Sequence, residues 1–331
     1  MAGSLHSLIG LGAMAALLSL AILLMLLKTG WAWSIAIDMP NHRSLHVRPV
    51  PRVGGCGVMP VVVAMVLLVA PSLHWLAIGA GVLAIVSQID DRRGLSVRVR
   101  FAVHIGVAVL AVLGVGHGVV WPLAVLAVIT LVWLTNLYNF MDGINGIAGG
   151  MAVAGFAAFA LAAVNAHASL AAAAAIVSGA ALGFLALNFP HAKIFLGDAG
   201  SVPLGFLAGA LGFWGWCEGA WPVWFPALVF SPFIVDATVT LSRRALRGEK
   251  IWQAHREHYY QRLAQMNGSH VKASLIYYTV MLGAAVLALI ALRLDGALQW
   301  VAVVAWLAVL ALAGWMIDRR WREHLRSQPA G

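Results

Sequence analysis

Residues 8–27 have the sequence LIGLGAMAALLSLAILLMLL, in which no side chain is charged. A helix of this length can cross the hydrocarbon core of a bilayer, which is about 30 Å thick. No basic segment precedes the stretch and no small-residue cleavage site follows it, as a signal peptide would require. We therefore predict that it is the first membrane-spanning helix.

The rest of the chain is also rich in apolar residues and poor in charged ones. Hydrophobic residues make up 62% of the 331 positions and charged residues 10%, which excludes an ordinary soluble protein. Because lipid offers the backbone no hydrogen-bond partner, continuous apolar runs must form helices. Eleven spans are predicted, at 7–27, 54–72, 74–89, 101–117, 120–138, 147–165, 168–188, 201–217, 221–241, 273–292 and 297–317. The fold class is an all-α polytopic integral membrane helix bundle, with residues 1–331 as one domain.

The basic residues predict the orientation. With the amino terminus in the periplasm and the carboxyl terminus in the cytoplasm, 20 of the 21 Lys and Arg residues lie inside and only Arg293 lies outside. The cytoplasmic loops are then 28–53, 90–100, 139–146, 189–200 and 242–272. The net charge of +9 is accordingly a topology signal, and we expect no nucleic-acid partner.

The twelve carboxylates fall into three groups. Six lie at helix ends that face the cytoplasm, beside Gly, Asn or Pro; they are Asp38, Asp90, Asp91, Asp142, Asp198 and Asp236. Ionisable groups at membrane depth are costly and mark functional sites. Four others lie among basic residues and are expected to be ion-paired, namely Glu249, Glu257, Asp318 and Glu323. Glu218 and Asp295 are expected in outer loops.

Two adjacent acids, Asp90 and Asp91, end the third span. Neighbouring carboxylates repel each other and suit a cation or a group that needs proton or phosphate chemistry. The alternative is that they pair with Arg92 and Arg93 at the membrane interface.

Residues 136–146 have the sequence NLYNFMDGING. Helical spacing would place Asn136, Asn139 and Asp142 on one face as a stripe of oxygen ligands. The glycines then break the helix and let backbone amides approach a ligand. The alternative is a polar helix end with a glycine cap.

Residues 195–201, FLGDAGS, form a third motif between the seventh and eighth spans. A Gly-Asp turn before a Ser cap is common in proteins. Its predicted position on the same face as the other motifs is what indicates a function.

The largest inner loop contains the sequence WQAHREHYYQR at residues 252–262. Its His255, Arg256 and His258 suit contacts with a diphosphate or a nucleotide. The alternative is an amphipathic helix that lies on anionic lipid.

Residues 38–55, DMPNHRSLHVRPVPRVGG, are rich in proline and basic groups. His46 and Arg52 in this stiff segment are candidates to bind a phosphate, and the alternative is an anchor for lipid headgroups. Together the five motifs predict an oxygen-rich site for Mg²⁺, or Mn²⁺, surrounded by Arg and His. Such a site favours phosphoryl-type transfer between a soluble diphosphate and a lipid.

These motifs resemble those of the polyprenyl-phosphate N-acetylhexosamine-1-phosphate transferases, the glycosyltransferase family 4 enzymes of the MraY and WecA types. The similarity runs from the Asp38 segment to the His258 loop, with five motifs in family order. The resemblance implies transfer of a sugar 1-phosphate from UDP-N-acetylhexosamine to undecaprenyl phosphate, with Mg²⁺ and UMP release. It also implies a bacterial inner-membrane location with a cytoplasmic active site, and a homodimer is compatible with it.

The resemblance also implies roles for individual residues. Asp90, Asp91, Asp198 and His258 correspond to catalytic positions, and Asn139 and Asp198 to residues that hold Mg²⁺ and the diphosphate. Asn145 and Phe195 correspond to the uracil pocket, Asp142 to the acid of the second motif, and Asp236 to an aspartate of the WecA branch.

The histidine loop departs from the WecA pattern, because Tyr260 and Gln261 stand where further histidines are expected. The loop looks more like the WbpL-like branch that initiates O-antigen synthesis. That similarity implies N-acetylglucosamine or a 6-deoxy sugar such as N-acetylfucosamine or N-acetylquinovosamine. Two alternatives remain: the pentapeptide-bearing substrate of peptidoglycan synthesis, and a secondary transporter, which would place its charges near the midplane.

Overall fold

A computed structural model describes residues 4–40, 48–115, 119–250, 253 and 255–327. In these residues the protein is almost entirely helical, with one two-stranded sheet. The first part comprises α1 (Leu5–Lys28), α2 (Trp31–Ile35), β1 (Ile37–Asp38), β2 (Val50–Pro51), α3 (Gly54–Val69), a 3₁₀ helix (Pro71–Leu73), α4 (His74–Arg93), α5 (Val97–Val115) and α6 (Trp121–Phe140). The second part comprises α7 (Ile147–Ala163), α8 (Ala168–Asn188), α9 (Asp198–Cys217), α10 (Trp224–Val229), α11 (Ser231–Leu246), α12 (Tyr259–Asn267), α13 (His270–Ala291) and α14 (Gly296–Ser327).

The predicted all-α membrane fold is confirmed, since every predicted span overlaps a helix. Within the described residues, seven helices are long and apolar enough to cross a membrane, and α3 and α7 are shorter apolar helices. The seven are Leu5–Lys28, Pro71–Arg93, Val97–Gly114, Trp121–Phe140, Ala168–Asn188, His270–Ala291 and Gly296–Ser327. The figure of eleven crossings and their orientation stay predictions.

Two spans differ from their predicted bounds. The span at 221–241 is broken, because α10 ends at Val229 and α11 begins at Ser231. Pro232 lies in the first turn of α11, where its missing N–H and fixed φ suit a helix start rather than a continuous helix. The last helix does not end near residue 317 but continues to Ser327, through charged residues that water can solvate.

The alanine-rich helix α8 lies at the centre of the bundle, whereas α14 lies at its edge. In α8, 78% of the most apolar window is buried, against 6% in α14. The alanine tract of α8 at 171–175 is entirely buried, so these residues pack against neighbouring helices. A Cβ added at Gly179 would lie 2.0 Å from the Gly12 carbonyl oxygen of α1. Small residues thus let the two backbones touch, which is the main source of helix attraction within lipid.

A similar contact joins α3 to α9, and it yields a first prediction. A Cβ at Gly55 would lie 2.4–2.6 Å from backbone atoms of Ala199 and Gly200. Gly55→Ala is therefore expected to lower the free energy of unfolding by about 1–3 kcal/mol through overpacking. The measurement is detergent-solubilised unfolding, with Gly106→Ala as control because a Cβ there has nothing within 4 Å. Equal stability of the two variants would contradict the contact.

Candidate functional site

The basic segment and the Gly-Asp turn are joined by a backbone ladder. The N–H of Phe195 donates to the Pro51 carbonyl at 2.9 Å. The N–H of Gly54 donates to Phe195 and that of Gly55 to Leu196, both also at 2.9 Å. Residues 37–38 of β1 pair antiparallel with residues 50–51 of β2, which fixes the register of these two strands. Two motifs far apart in sequence are therefore adjacent at one end of the bundle.

This ladder brings Arg52 against Asp91. Arg52 forms an isolated parallel bridge with Phe195, and its Nη1 lies 3.6 Å from Asp91 Oδ1. Gly197 lies beside both residues, because a Cβ there would lie 3.4 Å from both Arg52 Cβ and Asp91 Oδ2. The φ of Gly197 is +71°, a value that favours glycine. The Gly-Asp turn therefore passes next to the Arg52–Asp91 pair.

Three acids from different motifs form what we call the carboxylate cluster: Asp91, Asp142 and Asp198. Asp91 is in the last turn of α4, Asp142 in the turn after α6, and Asp198 at the first position of α9. Burial, and then the negative charges of Asp198 and Asp91, raise the pKa of Asp142 well above its usual range. Such mutual repulsion is relieved when a cation enters.

Asp90 has a different environment from Asp91. Its Oδ1 accepts the backbone N–H of Leu95 at 2.5 Å, and its Oδ2 accepts Arg100 at 2.9 Å. Successive residues of a helix point about 100° apart, so adjacent acids at the end of α4 face different neighbours. The partners are Arg100 for Asp90 and Arg52 for Asp91, and not the adjacent arginines weighed in the sequence.

Asn139 contacts both Asp198 and the helix behind it. Its side chain lies close enough to the Asp198 carboxylate to lower the pKa of that group, and its Oδ1 accepts the Ser201 hydroxyl at 2.7 Å. A carbonyl oxygen has two lone pairs, so Oδ1 keeps one for a further partner.

Asn136 does not join this group, and the predicted stripe of three oxygen ligands is wrong. Its amide donates to the Val132 carbonyl at 2.7 Å and lies 3.4 Å from His104 Nδ1. Because α6 ends at Phe140, helical spacing no longer relates Asp142 to Asn136.

The loop after α6 is tied to neighbouring segments through amide side chains. Asn188 accepts the N–H of Gly146 at 2.6 Å and donates to the carbonyl of Ile194 at 2.8 Å, so one side chain links the second and third motifs. Asn145 donates to the Pro190 carbonyl at 3.2 Å, and its oxygen lies 3.5 Å from His270 Nδ1.

Residues 255–260, which we call the histidine segment, are held by Asp236. This acid is 2% exposed and has five hydrogen-bond partners. They are Tyr259 N at 2.9 Å, Tyr260 N at 3.1 Å, Thr240 Oγ1 at 3.2 Å, Tyr277 Oη at 2.5 Å and His258 Nδ1 at 3.2 Å. A carboxylate at the first turn of α12 satisfies free N–H groups and complements the helix dipole. With both oxygens occupied, Asp236 is placed to position His258 rather than to touch a substrate.

Tyr260 joins the histidine segment to the second motif. Its hydroxyl donates to the Phe140 carbonyl at 3.0 Å, and a Cβ at Gly143 would lie 2.1 Å from that hydroxyl oxygen.

Burial, and then the charges of His258 and Arg244, lower the pKa of His255 to about 4.

The predicted ion pairs are confirmed. Glu257 bridges Arg244 and Arg247, and Glu249 pairs with the same two arginines. Asp318 binds Arg243 and Arg262, and Glu323 pairs with Arg319.

The structure thus groups some of the predicted site residues and separates others. Arg52, Asn139 and the three acids of the carboxylate cluster come together. Asp90 binds Arg100 of α5, and Asn145 contacts Pro190 and His270. Phe195 contributes backbone hydrogen bonds to the ladder with residues 51–54. The carbonyl of Arg256 accepts from Gln265 at 3.2 Å within the histidine segment and α12. His46 lies outside the described residues.

Some polar atoms at this end of the bundle have no partner. Among the described residues, Arg52 Nε, Gln88 Nε2 and Asp91 Oδ2 are buried without a hydrogen bond. An unpartnered buried polar group costs about 1–3 kcal/mol. Arg52 and Asp91 lie beside each other, so a ligand bound between them would supply partners for both side chains.

The residues fit a magnesium ion that arrives with phosphates. Mg²⁺ binds oxygen, keeps several waters and typically takes one or two protein carboxylates. Asp198 and Asn139 are adjacent oxygen donors, and Asp91 has an unpartnered oxygen. Among the described residues, no three His, Cys, Asp or Glu side chains converge into a complete cage. A dedicated protein cage is not what this ion requires.

Two residues that hold segments of the site were not predicted. Asn188 and Tyr277 lie within apolar helices and are buried. A single amide just before Phe189-Pro190 is a weak signal of a residue that fixes a loop. Nothing in the sequence pairs Tyr277 with Asp236.

Comparison with known proteins shows which sequences this chain resembles. The sequence model of glycosyl transferase family 4 matches residues 73–215, which include Asp91, Asn139, Asp142 and Asp198. The chain is 28% identical over 270 residues to the probable undecaprenyl-phosphate N-acetylglucosaminyl 1-phosphate transferase of Bacillus subtilis, covering 74% of each chain. It is 28% identical over 309 residues to the decaprenyl-phosphate N-acetylglucosaminephosphotransferase of Mycolicibacterium smegmatis, covering 76% of this chain and 75% of the relative. It is also 28% identical over 317 residues to the undecaprenyl-phosphate alpha-N-acetylglucosaminyl 1-phosphate transferase of Yersinia pestis, covering 86% and 85%.

Proposed function

Since the chain belongs to the glycosyl transferase family 4 of polyprenyl-phosphate hexosamine-1-phosphate transferases, we propose that it transfers N-acetylhexosamine 1-phosphate from a UDP-sugar to undecaprenyl phosphate. The products are undecaprenyl-diphospho-sugar and UMP. The reaction takes place at the cytoplasmic face of a bacterial inner membrane, where a soluble nucleotide sugar meets a lipid phosphate, and it initiates O-antigen or another cell-surface polysaccharide.

The observation that carries this proposal is the carboxylate cluster beside Arg52. Its acids come from three motifs, and the ladder at residues 50–55 sets a guanidinium against them. Repulsion between two phosphate groups is the main physical obstacle to phosphoryl transfer, and cations relieve it. Arg52 is suited to bind phosphate oxygens through its planar guanidinium.

We propose Mg²⁺ as the cofactor, held by Asp198 and Asn139. When bound, the ion neutralises charge on the diphosphate and orients it. The first turn of α9 begins at Asp198, so the positive end of this helix dipole adds to the favourable field for phosphate groups.

The proposed step is a direct displacement. A phosphate monoester has a second pKa of about 6, so the lipid phosphate is mostly dianionic near pH 7 and needs no strong base. Its oxygen forms a bond to the sugar-bearing phosphorus, while the bond from that phosphorus to the bridging oxygen breaks and UMP leaves with the electron pair. Asp91 orients the attacking phosphate and accepts its residual proton. The sugar C1–O bond stays intact, so the anomeric configuration is retained.

For the sugar, we propose N-acetylglucosamine as the first candidate, because the relatives named above act on it. The 6-deoxy sugars N-acetylfucosamine and N-acetylquinovosamine are the second candidate, on the pattern of the histidine loop. No observation favours the peptidoglycan substrate or a transporter.

The test is UMP release by the purified full chain in detergent, with undecaprenyl phosphate and Mg²⁺. Parallel reactions contain UDP-N-acetylglucosamine, UDP-N-acetylfucosamine or the UDP-muramyl pentapeptide. We expect lipid-dependent UMP release with one of the first two donors. Release from the pentapeptide donor alone, or from none, would reject the proposal.

The position of Arg52 gives a further prediction. Arg52→Ala is expected to raise KM for the UDP-sugar by at least about 10-fold, because a charge-assisted contact to phosphate contributes about 1.5–3 kcal/mol. Steady-state kinetics of UMP release measures it. Arg98→Ala is the matched control, since Arg98 is exposed at the start of α5. An unchanged KM in Arg52→Ala would remove Arg52 from the diphosphate site.

A further inference from the structure

The last helix, α14, makes three of its polar contacts with the rest of the protein through one residue, Asp318. Only 6% of the most apolar window of α14 is buried, as expected of a helix that faces lipid. Past residue 317 the helix continues to Ser327 with a polar, mostly basic sequence. Asp318, at the start of this extension, has a side chain only 15% exposed.

Asp318 binds two other helices. Its Oδ2 accepts Arg243 of α11 at 2.8 Å and the Tyr259 hydroxyl of α12 at 3.2 Å. Its Oδ1 accepts Arg262 of α12 at 2.8 Å. One carboxylate therefore joins α11, α12 and α14.

The ring of Tyr259 lies against both of these arginines. The Cζ atoms of Arg243 and Arg262 are 5.6 and 5.5 Å from its centroid. Cation–π contacts at this distance are attractive, and Asp318 offsets the repulsion between the two guanidinium groups. Trp321, one turn further along α14, lies 5.9 Å from the Arg262 guanidinium. Without the Asp318 carboxylate, the Arg243 and Arg262 guanidinium groups would both lie near the Tyr259 ring with no negative charge to offset their repulsion.

Tyr259 is held at both ends. Its backbone N–H is bound by Asp236, and its hydroxyl is bound by Asp318. The residue before it is His258, which is 3% exposed and has Nδ1 bonded to Asp236. His258 is therefore bound directly by Asp236 of α11, and it is connected through its neighbour Tyr259 to Asp318 of α14.

We propose that Asp318 is a positioning residue for His258: the cytoplasmic extension of α14 clamps Tyr259 and so fixes the histidine segment for transfer. The inference rests on the proposed transferase function. Nothing about Asp318 requires contact with a substrate.

The test compares three variants of the full chain in detergent: Asp318→Asn, Asp318→Glu and Glu323→Gln. Glu323 is the matched control, because it lies on the same extension and forms an exposed ion pair with Arg319, at 3.4 Å, in place of a contact with another helix. The first readout is kcat/KM for UMP release. The second is the rate at which diethyl pyrocarbonate modifies His258, measured by tandem mass spectrometry of the peptide.

We expect Asp318→Asn to lower kcat/KM by about 10–100-fold, since small misplacements of site groups have effects of this size. His258 modification should accelerate about 5–30-fold, as expected when local opening becomes easier. Asp318→Glu should restore most of both values, and Glu323→Gln should match the wild type.

Wild-type values of both readouts in Asp318→Asn would overturn the proposal. If the wild type transfers no sugar phosphate, the proposed function fails on its own, and the modification rate still decides whether Asp318 positions His258. Faster modification of every histidine, including those outside the segment, would indicate general unfolding and would also reject the specific role.

Discussion

Asp198→Asn is expected to lower kcat for UMP release on the order of 10³-fold while the protein inserts and folds normally. The substitution keeps the shape of the side chain, but it removes the negative charge that we propose binds the metal. Because burial raises the pKa of Asp198 in spite of the nearby Arg52 guanidinium, removing this charge relieves a desolvation cost. The thermal midpoint without Mg²⁺ should therefore stay equal to that of the wild type or rise, as is common where a site trades stability for activity.

The measurements are kcat at saturating substrates, a Mg²⁺ titration and thermal unfolding in detergent. Glu218→Gln is the control, since Glu218 is the exposed residue that caps the other end of α9. It should leave all three values unchanged. Full activity of Asp198→Asn at any Mg²⁺ concentration would remove Asp198 from the metal site, and a large drop in stability would assign it a structural role.

Asp236→Ala is expected to have the opposite effect on stability, with a loss of about 3–5 kcal/mol in the free energy of unfolding. The variant leaves two N–H groups of α12, two hydroxyl groups and His258 without their acceptor. Since these groups are buried, water cannot replace the carboxylate at low cost. Transfer activity should be lost as well, because the histidine segment is no longer held.

Denaturant-induced unfolding in mixed micelles measures this loss. Tyr277→Phe is the graded comparison, because it removes one of the five donors and should cost about 1 kcal/mol. If Asp236→Ala were as stable as Tyr277→Phe, the hydrogen bonds to Asp236 would contribute little and its positioning role would be rejected. The two acids thus differ. Burial disfavours the charged form of the Asp198 carboxylate, whereas both oxygens of the Asp236 carboxylate accept hydrogen bonds.

Much of the site was predictable because its residues interrupt apolar helices. The polar residues concerned are Asp91, Asn139, Asp142 and Asp198. Polar and ionisable groups next to apolar membrane helices are costly, so they indicate a functional site. The one-sided distribution of Lys and Arg then placed these ends together. The break between α10 and α11 was not predicted, because hydropathy is nearly the same on both sides of it and only Pro232 marks it.

The errors of prediction come from directions that a sequence does not contain. Adjacent Asp90 and Asp91 look like a pair, yet each meets a different arginine because helical neighbours diverge. Asn136 was grouped with Asp142 by a spacing that holds only while the helix continues, and α6 ends at Phe140. The hydrogen bonds that hold Asp236 to His258, α12 and Tyr277 were likewise not predicted, because they join segments that are distant in sequence.

By itself, the sequence determined that this protein is an all-helical membrane protein and which polar motifs interrupt its apolar segments, because hydropathy and charge act on each segment independently of its neighbours. Only the tertiary structure decided which of those polar groups meet. The ladder that sets Arg52 against Asp91, the amide of Asn188 between two loops, and the clamp of Asp236 and Asp318 on Tyr259 all join segments distant along the chain. Their energies depend on distances and angles of a few ångströms and degrees, which the packing of the helices sets.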